Sequence, residues 1–249
     1  MLLVYDGSYD GLLCAVFDIY EKKLLNCASI ISSDKLDSIP LCESLEVKNN
    51  SKHADRVERK LKSLGAGATV YKAWLSKEAG IEDCILDYIR TALKIQGNPS
   101  GMLYDKNIKR TVLAARHVSN EAHRYLQFTR FIKVCRTRED GAVLSIYVGD
   151  IEPQYEILHL IAKHFTKRFA AQHFLIRDKA HGQTLIWDTR SWYITELPGF
   201  LEPALPGSEE FGEMWRSYFE ALSIPWRANK KLQQQLVPRK YRRYLTEFL

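Results

Sequence analysis

The chain has 249 residues, with 36 Lys or Arg against 30 Asp or Glu, so its formal net charge is +6. Its 46% hydrophobic and 27% charged content is typical of globular proteins and excludes wholesale disorder. No stretch reaches the roughly 18 apolar residues of a membrane span, and the N-terminus lacks a signal-peptide pattern. The five cysteines are widely spaced and form no CxxC pair, which favours a reducing, cytoplasmic compartment.

The first part of the chain alternates predicted strands and helices. Hydrophobic periodicity predicts strands over 2–5 and 43–49 and helices over 10–23, 53–65 and 73–96. Ser8 is placed to cap helix 10–23, and Gly65 is placed to end helix 53–65. The breaker cluster QGNPSG at 96–101 is the best linker, which predicts an α/β part at 1–98 and an α+β part at 99–249.

The second part changes from one long helix to strands. The pattern predicts a helix over 105–125, a hairpin with an Asp-Gly turn within 128–151, a helix over 155–169, antiparallel strands over 173–195, a loop over 198–207 and a helix over 210–222. The expected fold class is α+β, with an antiparallel sheet and flanking helices in the second half and a small N-terminal α/β part.

Several standard chemical motifs do not occur in the sequence. It has no GxxxxGK[ST] phosphate loop, no GxSxG elbow and no HExxH pair. His159 and His164 are five residues apart on one predicted helix, so their side chains diverge by roughly 140° and do not share an ion easily. We therefore expect neither a metal site nor a cofactor in this chain.

Three residues are candidates for acid–base or ligand chemistry. Asp6 lies in YDGSYDG, where a strand leads into a helix, and backbone N–H groups at such a helix end can hold a phosphate. His123 and Arg130 lie in RHVSNEAHRYLQFTRF beside Glu121, a combination suited to proton transfer. The alternatives are a plain turn with a helix cap at Asp6 and a solvated helix face at His123.

The positive charge is concentrated in the last 23 residues, RANKKLQQQLVPRKYRRYLTEFL, which we call the basic segment. Cations neutralise phosphates and aromatic rings stack on bases. The predicted nucleic-acid-binding residues are Arg227, Lys230, Lys231, Arg239, Lys240, Tyr241, Arg242 and Arg243. The polar side of helix 155–169 would extend this cationic surface. In the alternative, the segment is a strap docked on the core, anchored by Pro238, Tyr241, Tyr244, Leu245 and Phe248.

Four blocks of the sequence, taken together, resemble a known family. They are YDGSYDGLLCAVFDIY, EAHRYLQFTRF, HLIAKHFTKRFAAQHFLIRD and WRSYFEALSIPWRANKKLQQQLVPRKYRRYLTEF. In this order they resemble bacterial proteins described as probable DNA metabolism proteins. The resemblance implies a partner radical-SAM protein that acts in DNA modification or repair. Some members are joined to a uracil-DNA-glycosylase-like domain, which this sequence does not resemble, so that chemistry is not expected here.

The sequence leaves three classes of function open. The first is an accessory protein that binds DNA or RNA and works with the radical-SAM partner, which would carry any iron–sulfur cluster. The second is an enzyme that acts on nucleic acid and uses Asp6, His123 and Arg130, or carboxylates of the second half such as Asp178 and Asp188. The third is an adaptor that binds only proteins.

Overall fold

The computed structural model of the chain describes residues 1–24, 28–35, 43–137, 143–196, 237–242 and 245. The chain divides into two compact units, Met1–Asn120 and Glu121–Leu249. The boundary between residues 98 and 99 stays a prediction. In the described residues, no helix is both long and apolar enough to cross a membrane.

The first unit is built on a small parallel sheet with helices. Its strands are β1 (Leu2–Tyr5), β2 (Ser29–Ser32) and β3 (Ser44–Glu46), and its helices are α1 (Tyr9–Glu21), α2 (Ser51–Ser63), α3 (Gly67–Leu75), α4 (Ile81–Ile95) and the first part of α5 (Lys106–Phe128). The strand order is β2-β1-β3, and β1 is parallel to both of its neighbours. This arrangement confirms the small N-terminal α/β part.

Two predicted helix signals are confirmed in this unit. The Ser8 hydroxyl accepts a hydrogen bond from the backbone N–H of Gly11 at 2.9 Å and caps α1. After α2 ends, Gly65 takes φ of +69°, a left-handed conformation that glycine adopts without a Cβ penalty.

The single helix predicted over 73–96 is wrong, because the structure has two helices there. Helix α3 ends at Leu75 and α4 begins at Ile81. Between them Lys77 has φ of 51° and Gly80 has φ of 68°. A left-handed residue interrupts the helical hydrogen-bond ladder, so the chain turns before α4. One side of α4 is apolar and buried, at Ile81, Ile85, Tyr88, Ile89 and Ala92.

The breaker cluster at 96–101 forms a short 3-10 turn, Pro99–Gly101, after α4. Asn98 Nδ2 donates to the backbone carbonyl of Gly65 at 2.8 Å, and the Tyr88 hydroxyl donates to Asn98 Oδ1 at 2.9 Å. The turn is therefore fastened to the rest of the first unit.

Helix α5 confirms the long helix predicted over 105–125. Helical spacing predicts six inward-facing apolar positions, of which Ile108, Ala115, Val118, Ala122 and Tyr125 are buried and Val112 is half-buried. The division between the two units falls within this helix, after Asn120.

The second unit contains a five-stranded sheet. Its strands are β4 (Ile132–Thr137), β5 (Val143–Ile151), β6 (His173–Asp178), β7 (Gln183–Trp187) and β8 (Trp192–Glu196), and its other described helices are α6 (Leu158–Arg168) and the short α7 (Arg239–Arg242). The strand order is β4-β5-β6-β7-β8. The α+β fold class is confirmed. The predicted loop at 198–207, the helix at 210–222 and the Asp-Gly turn at 140–141 lie outside the described residues.

One detail of the predicted sheet needs correction. The pairs β4–β5, β6–β7 and β7–β8 are antiparallel as expected, but β5 and β6 pair in parallel, from Ile146 with His173 to Ile151 with Asp178. The physical reason is α6, which connects the two strands. A helical crossover returns the chain to the edge where β5 began, so β6 runs in the same direction. The sheet is therefore mixed.

Candidate nucleic-acid interface

Helix α7 carries part of the basic segment. Arg239, Lys240, Tyr241 and Arg242 form this short helix. The other predicted binding residues, Arg227, Lys230, Lys231 and Arg243, lie outside the described residues, as do the predicted anchors Tyr244 and Phe248.

Two apolar side chains fasten the described part of the basic segment to the second unit. Tyr241 and Leu245 are each only 1% exposed. The Tyr241 ring meets Tyr125 edge-on at 5.0 Å between centroids and lies 5.1 Å from Phe128. This is the docked strap of the alternative interpretation. In this position the Tyr241 ring packs in the core and presents no face to a nucleic-acid base.

A buried carboxylate holds the same segment through Lys240. Glu121 of α5 is 5% exposed, and Lys240 Nζ donates to its Oε1. Its other oxygen accepts from the backbone N–H groups of Gln154 at 2.9 Å and Tyr155 at 3.0 Å. Although partial burial opposes the effect, Glu121 raises the pKa of Lys240 above its ordinary value. We call Glu121, Gln154, Tyr155 and Lys240 the Glu121 cluster.

The arginines of α7 differ in their surroundings. Arg242 is half-buried, and its Nε donates to the backbone carbonyl of Val237 at 2.9 Å. Arg239 is exposed, and no carboxylate among the described residues pairs with it. Its guanidinium is therefore the cation of α7 that is best placed to meet a phosphate.

The polar side of α6 adds exposed side chains in the same unit. His159, Lys163 and Lys167 are exposed and follow one another at four-residue spacing, which places them along one side of the helix. Partial burial lowers the pKa of His159, against the opposing effect of Glu156. His159 therefore offers a neutral ring at neutral pH, and the two lysines offer charge.

The predicted acid–base residues His123 and Arg130 both contact Gln127. His123 is exposed, and its Nε2 lies 3.3 Å from Gln127 Nε2. Arg130 Nη1 donates to the backbone carbonyl of Gln127 at 2.9 Å. The Glu121 carboxylate bonds to Lys240 and to backbone N–H groups. A catalytic role for His123 and Arg130 stays a prediction.

Asp6 belongs to the first unit and holds the turn between β1 and α1. Its carboxylate accepts from Ser8 N at 3.0 Å, from the Ser8 hydroxyl at 2.7 Å and from Asn49 Nδ2 at 2.6 Å. Although partial burial opposes them, these hydrogen bonds hold the pKa of Asp6 below its ordinary value. The ionised Asp6 carboxylate therefore stabilises the turn by accepting these hydrogen bonds.

Asp178 and Asp188, the two carboxylates named for the second-half sheet, lie near opposite ends of β7. Asp178 is opposite Gln183, where β7 starts, whereas Asp188 follows the end of β7. At the usual rise per residue the two side chains are separated by roughly 16 Å along the strand. A five-residue strand therefore separates Asp178 from Asp188, so these two carboxylates do not share one site, and the nucleic-acid-processing function stays a prediction.

Each of these two carboxylates has a local structural role. Buried Asp178 contacts His181 Nδ1 at 2.7 Å, and burial raises the pKa of its carboxyl group. Exposed Asp188 accepts from the backbone N–H of Ser191 at 2.6 Å and of Arg190 at 2.8 Å, and these bonds lower its pKa. Within the described part of the chain, no group of three His, Cys, Asp or Glu side chains is placed to hold a metal ion.

The comparisons with known proteins bear on the second unit in particular. No curated protein and no solved structure matches the chain. A family model, described as a domain of unknown function (DUF4130), matches residues 79–247. The match includes α5, the Glu121 cluster, α6 and nearly all of the basic segment, whereas Asp6 lies outside it. Because this match covers more than half of the sequence, the chain belongs to the DUF4130 family.

Proposed function

We propose that the protein is a nucleic-acid-associated accessory protein of DNA metabolism, in modification or repair. It binds DNA or RNA through the basic segment and works in the cytoplasm with a radical-SAM partner. The partner and the role in DNA metabolism rest on the resemblance of the four sequence blocks. Nucleic-acid binding rests on charge and on the way the basic segment is held.

The distribution of charge carries this proposal. The basic segment holds seven Lys and Arg against one acid, whereas the first 226 residues hold 29 basic and 29 acidic residues. A chain that is neutral outside one short segment concentrates its attraction for polyanions there. Phosphate contacts by Lys and Arg supply most of the affinity in non-specific nucleic-acid binding.

The docking of residues 237–242 and 245, the described part of the basic segment, supports a patch at a fixed place. Tyr241 and Leu245 are buried, and Lys240 is engaged by Glu121. Cations on an anchored backbone lose less conformational freedom on binding than cations on a loose arm. Because Lys240 is already paired, the remaining cations of the segment, Arg239 among them, meet the phosphates.

The test compares two variants with equal loss of charge. In the segment variant, Gln replaces Arg227, Lys230, Lys231, Arg239 and Arg243, and the structural contacts of Lys240 and Arg242 are kept. In the control, Gln replaces five exposed lysines of the first unit, Lys48, Lys52, Lys94, Lys106 and Lys109. The measurement is fluorescence anisotropy with labelled single-stranded and duplex DNA and RNA between 50 and about 200 mM salt.

We expect the wild type to bind with a steep salt dependence, and the control to behave like it. Each phosphate contact contributes about 0.9 to the slope of log K against log salt on duplex DNA, and about 0.7 on single strands. With five cations removed, the slope for the segment variant should therefore be smaller than that of the wild type by up to about 4.5 on duplex DNA and up to about 3.5 on single strands. If the two variants weaken binding equally, general charge and not the basic segment is responsible, and the assignment is wrong.

A second experiment tests the partner. The tagged protein is used to recover bound proteins from the source cells, with and without nuclease treatment. A radical-SAM protein should be recovered in both cases if the contact is direct. Recovery of that protein together with no measurable nucleic-acid affinity of the wild type would identify an adaptor instead.

A further inference from the structure

An aromatic row crosses the second-unit sheet on the side packed by α6. Tyr147, Phe174, Trp187 and Trp192 are register partners in the successive strands β5, β6, β7 and β8. Directly opposite residues of neighbouring strands point to the same face of a sheet. Phe174 contacts Phe165 of α6, with centroids 6.5 Å apart, so the row lies on the α6 side.

The row emerges from the core at its β8 end. Phe174 is fully buried, Trp187 is half-buried, and Trp192 is 41% exposed. The Trp192 ring lies edge-on to the ring of His159, at the start of α6, with centroids 6.1 Å apart. Trp192 is therefore an exposed aromatic ring that His159 packs against, and we call it the aromatic platform.

Cations extend from this platform along α6. Lys163 and Lys167 follow His159 at one and two turns, so each step is about 6 Å along the axis. Two acids lie in the same region. The charge of Glu156 favours protonation of His159. Asp188, in the β7–β8 turn, accepts hydrogen bonds from the backbone N–H groups of Arg190 and Ser191. Asp188 is engaged by these backbone N–H groups, and Lys163 and Lys167 supply the positive charge along the α6 side of the platform.

We propose that Trp192, His159, Lys163 and Lys167 form a binding surface for single-stranded nucleic acid. This inference rests on the proposed function and names the form of nucleic acid that the protein takes. An unpaired base stacks on the Trp192 ring, and the adjoining phosphates contact Lys163 and Lys167. In a duplex the base faces are covered by neighbouring pairs, so only a single strand can use the aromatic platform.

The test uses two exposed aromatic neighbours on opposite faces of one strand. Trp192 is 41% exposed and Tyr193 is 49% exposed, and successive residues of a strand point to opposite sides. Tyr193→Ala is thus a matched control for Trp192→Ala. The probe is a labelled 12-nucleotide oligothymidine, read by anisotropy at low salt, with a duplex of equal length beside it.

Trp192→Ala should weaken oligothymidine binding between about five-fold and a hundred-fold, the range that stacking on one base gives. Trp192→Phe, which keeps a stacking ring, should recover most of this loss, and Tyr193→Ala should change affinity less than two-fold. Duplex affinity should change little in all three. Unchanged thermal melting of the variants shows that the sheet is intact.

The lysines are tested through the salt slope. Lys163→Gln with Lys167→Gln should lower the slope for oligothymidine by about 1.4, since each single-strand phosphate contact contributes about 0.7. Lys109→Gln, an exposed lysine of the first unit, is the control and should leave the slope unchanged.

The outcomes separate this inference from the proposed function. If the wild type binds oligothymidine and the segment variant loses that binding, but Trp192→Ala equals Tyr193→Ala, this surface is refuted and the proposed function stands. If the wild type binds no nucleic acid, both fail. Equal losses on duplex and single strand in Trp192→Ala would also overturn the stacking role.

Discussion

The Glu121 cluster makes a quantitative prediction about how the basic segment is held. Glu121→Ala removes the acceptor of two backbone N–H groups and the partner of Lys240. Gln154 is exposed and Tyr155 is half-buried, so water partly replaces the lost acceptor and each N–H costs about 1 kcal/mol. The ion pair adds about 0.5–1 kcal/mol, because Lys240 is 40% exposed and its charge is screened.

The total for Glu121→Ala is therefore about 3 kcal/mol of unfolding free energy. Lys240→Ala should cost less, about 1–1.5 kcal/mol: it loses the ion pair and the cation–π contact with Tyr241, whose centroid lies 5.0 Å from Nζ. The double variant should show a coupling energy of about 0.5–1 kcal/mol. Glu43→Ala, at an exposed glutamate of the first unit, should stay within about 0.5 kcal/mol of the wild type.

Urea unfolding followed by circular dichroism measures these free energies, and amide hydrogen exchange gives the local test. The amides of Gln154 and Tyr155 should exchange faster in Glu121→Ala and at nearly the wild-type rate in Lys240→Ala. If both variants lose equal stability, or if both speed these amides equally, the backbone N–H groups do not dominate the cluster and the reasoning is refuted.

Three further predictions concern Gly11, Asp6 and Tyr241. A Cβ at Gly11 would clash with Asp6 Oδ1, so Gly11→Ala should cost about 1–3 kcal/mol in urea unfolding. In an Asp6→Ala background the Cβ would still meet Asn49 Oδ1 and Ser8 Oγ at 3.1 Å, so the cost should be smaller but should not vanish. The pKa of Asp6 is lower in the folded protein than its unfolded value of 3.8, so the Asp6 carboxylate stabilises the fold above pH 3.8. This stability is lost as the pH falls through the folded pKa, so Asp6→Asn should make the unfolding free energy fall less steeply with pH on the acid side. An acid profile equal to that of the wild type would contradict this. Tyr241→Ala removes a ring that is 1% exposed and should cost about 3–5 kcal/mol by the same measurement, against less than about 1 kcal/mol for the exposed Tyr104→Ala.

Local signals were enough to predict much of the first unit. Ser8 caps α1 because a serine hydroxyl can accept from the N–H three residues ahead, and that requires only the adjacent sequence. The break between α3 and α4 was not predictable in the same way. Lys77 adopts φ of 51° there, a conformation that lysine does not favour and that its side chain therefore does not predict.

Contacts that are distant in the sequence account for what was missed. Glu121 and Lys240 are 119 residues apart in the sequence. The residues around each of them predict only a charged side chain on a helix surface, so their contact could not be predicted. The parallel pairing of β5 with β6 likewise depends on where α6 returns the chain. Trp192 begins a short strand, and alternation along the strand places Trp192 and Tyr193 on opposite faces of the sheet. The sequence does not show which of these two faces meets His159.

The Glu121 cluster also joins the two surfaces proposed for nucleic acid. Its carboxylate holds Lys240 in the basic segment and the N–H of Tyr155, three residues before α6 begins at Leu158. Loss of Glu121 therefore loosens α7 and the entry to α6 together, so weaker binding in that variant does not say which surface was affected. Arg239 and Trp192 have no part in the cluster. Their single and combined variants should add in free energy if the two surfaces bind independently, and deviate from additivity if one strand spans both.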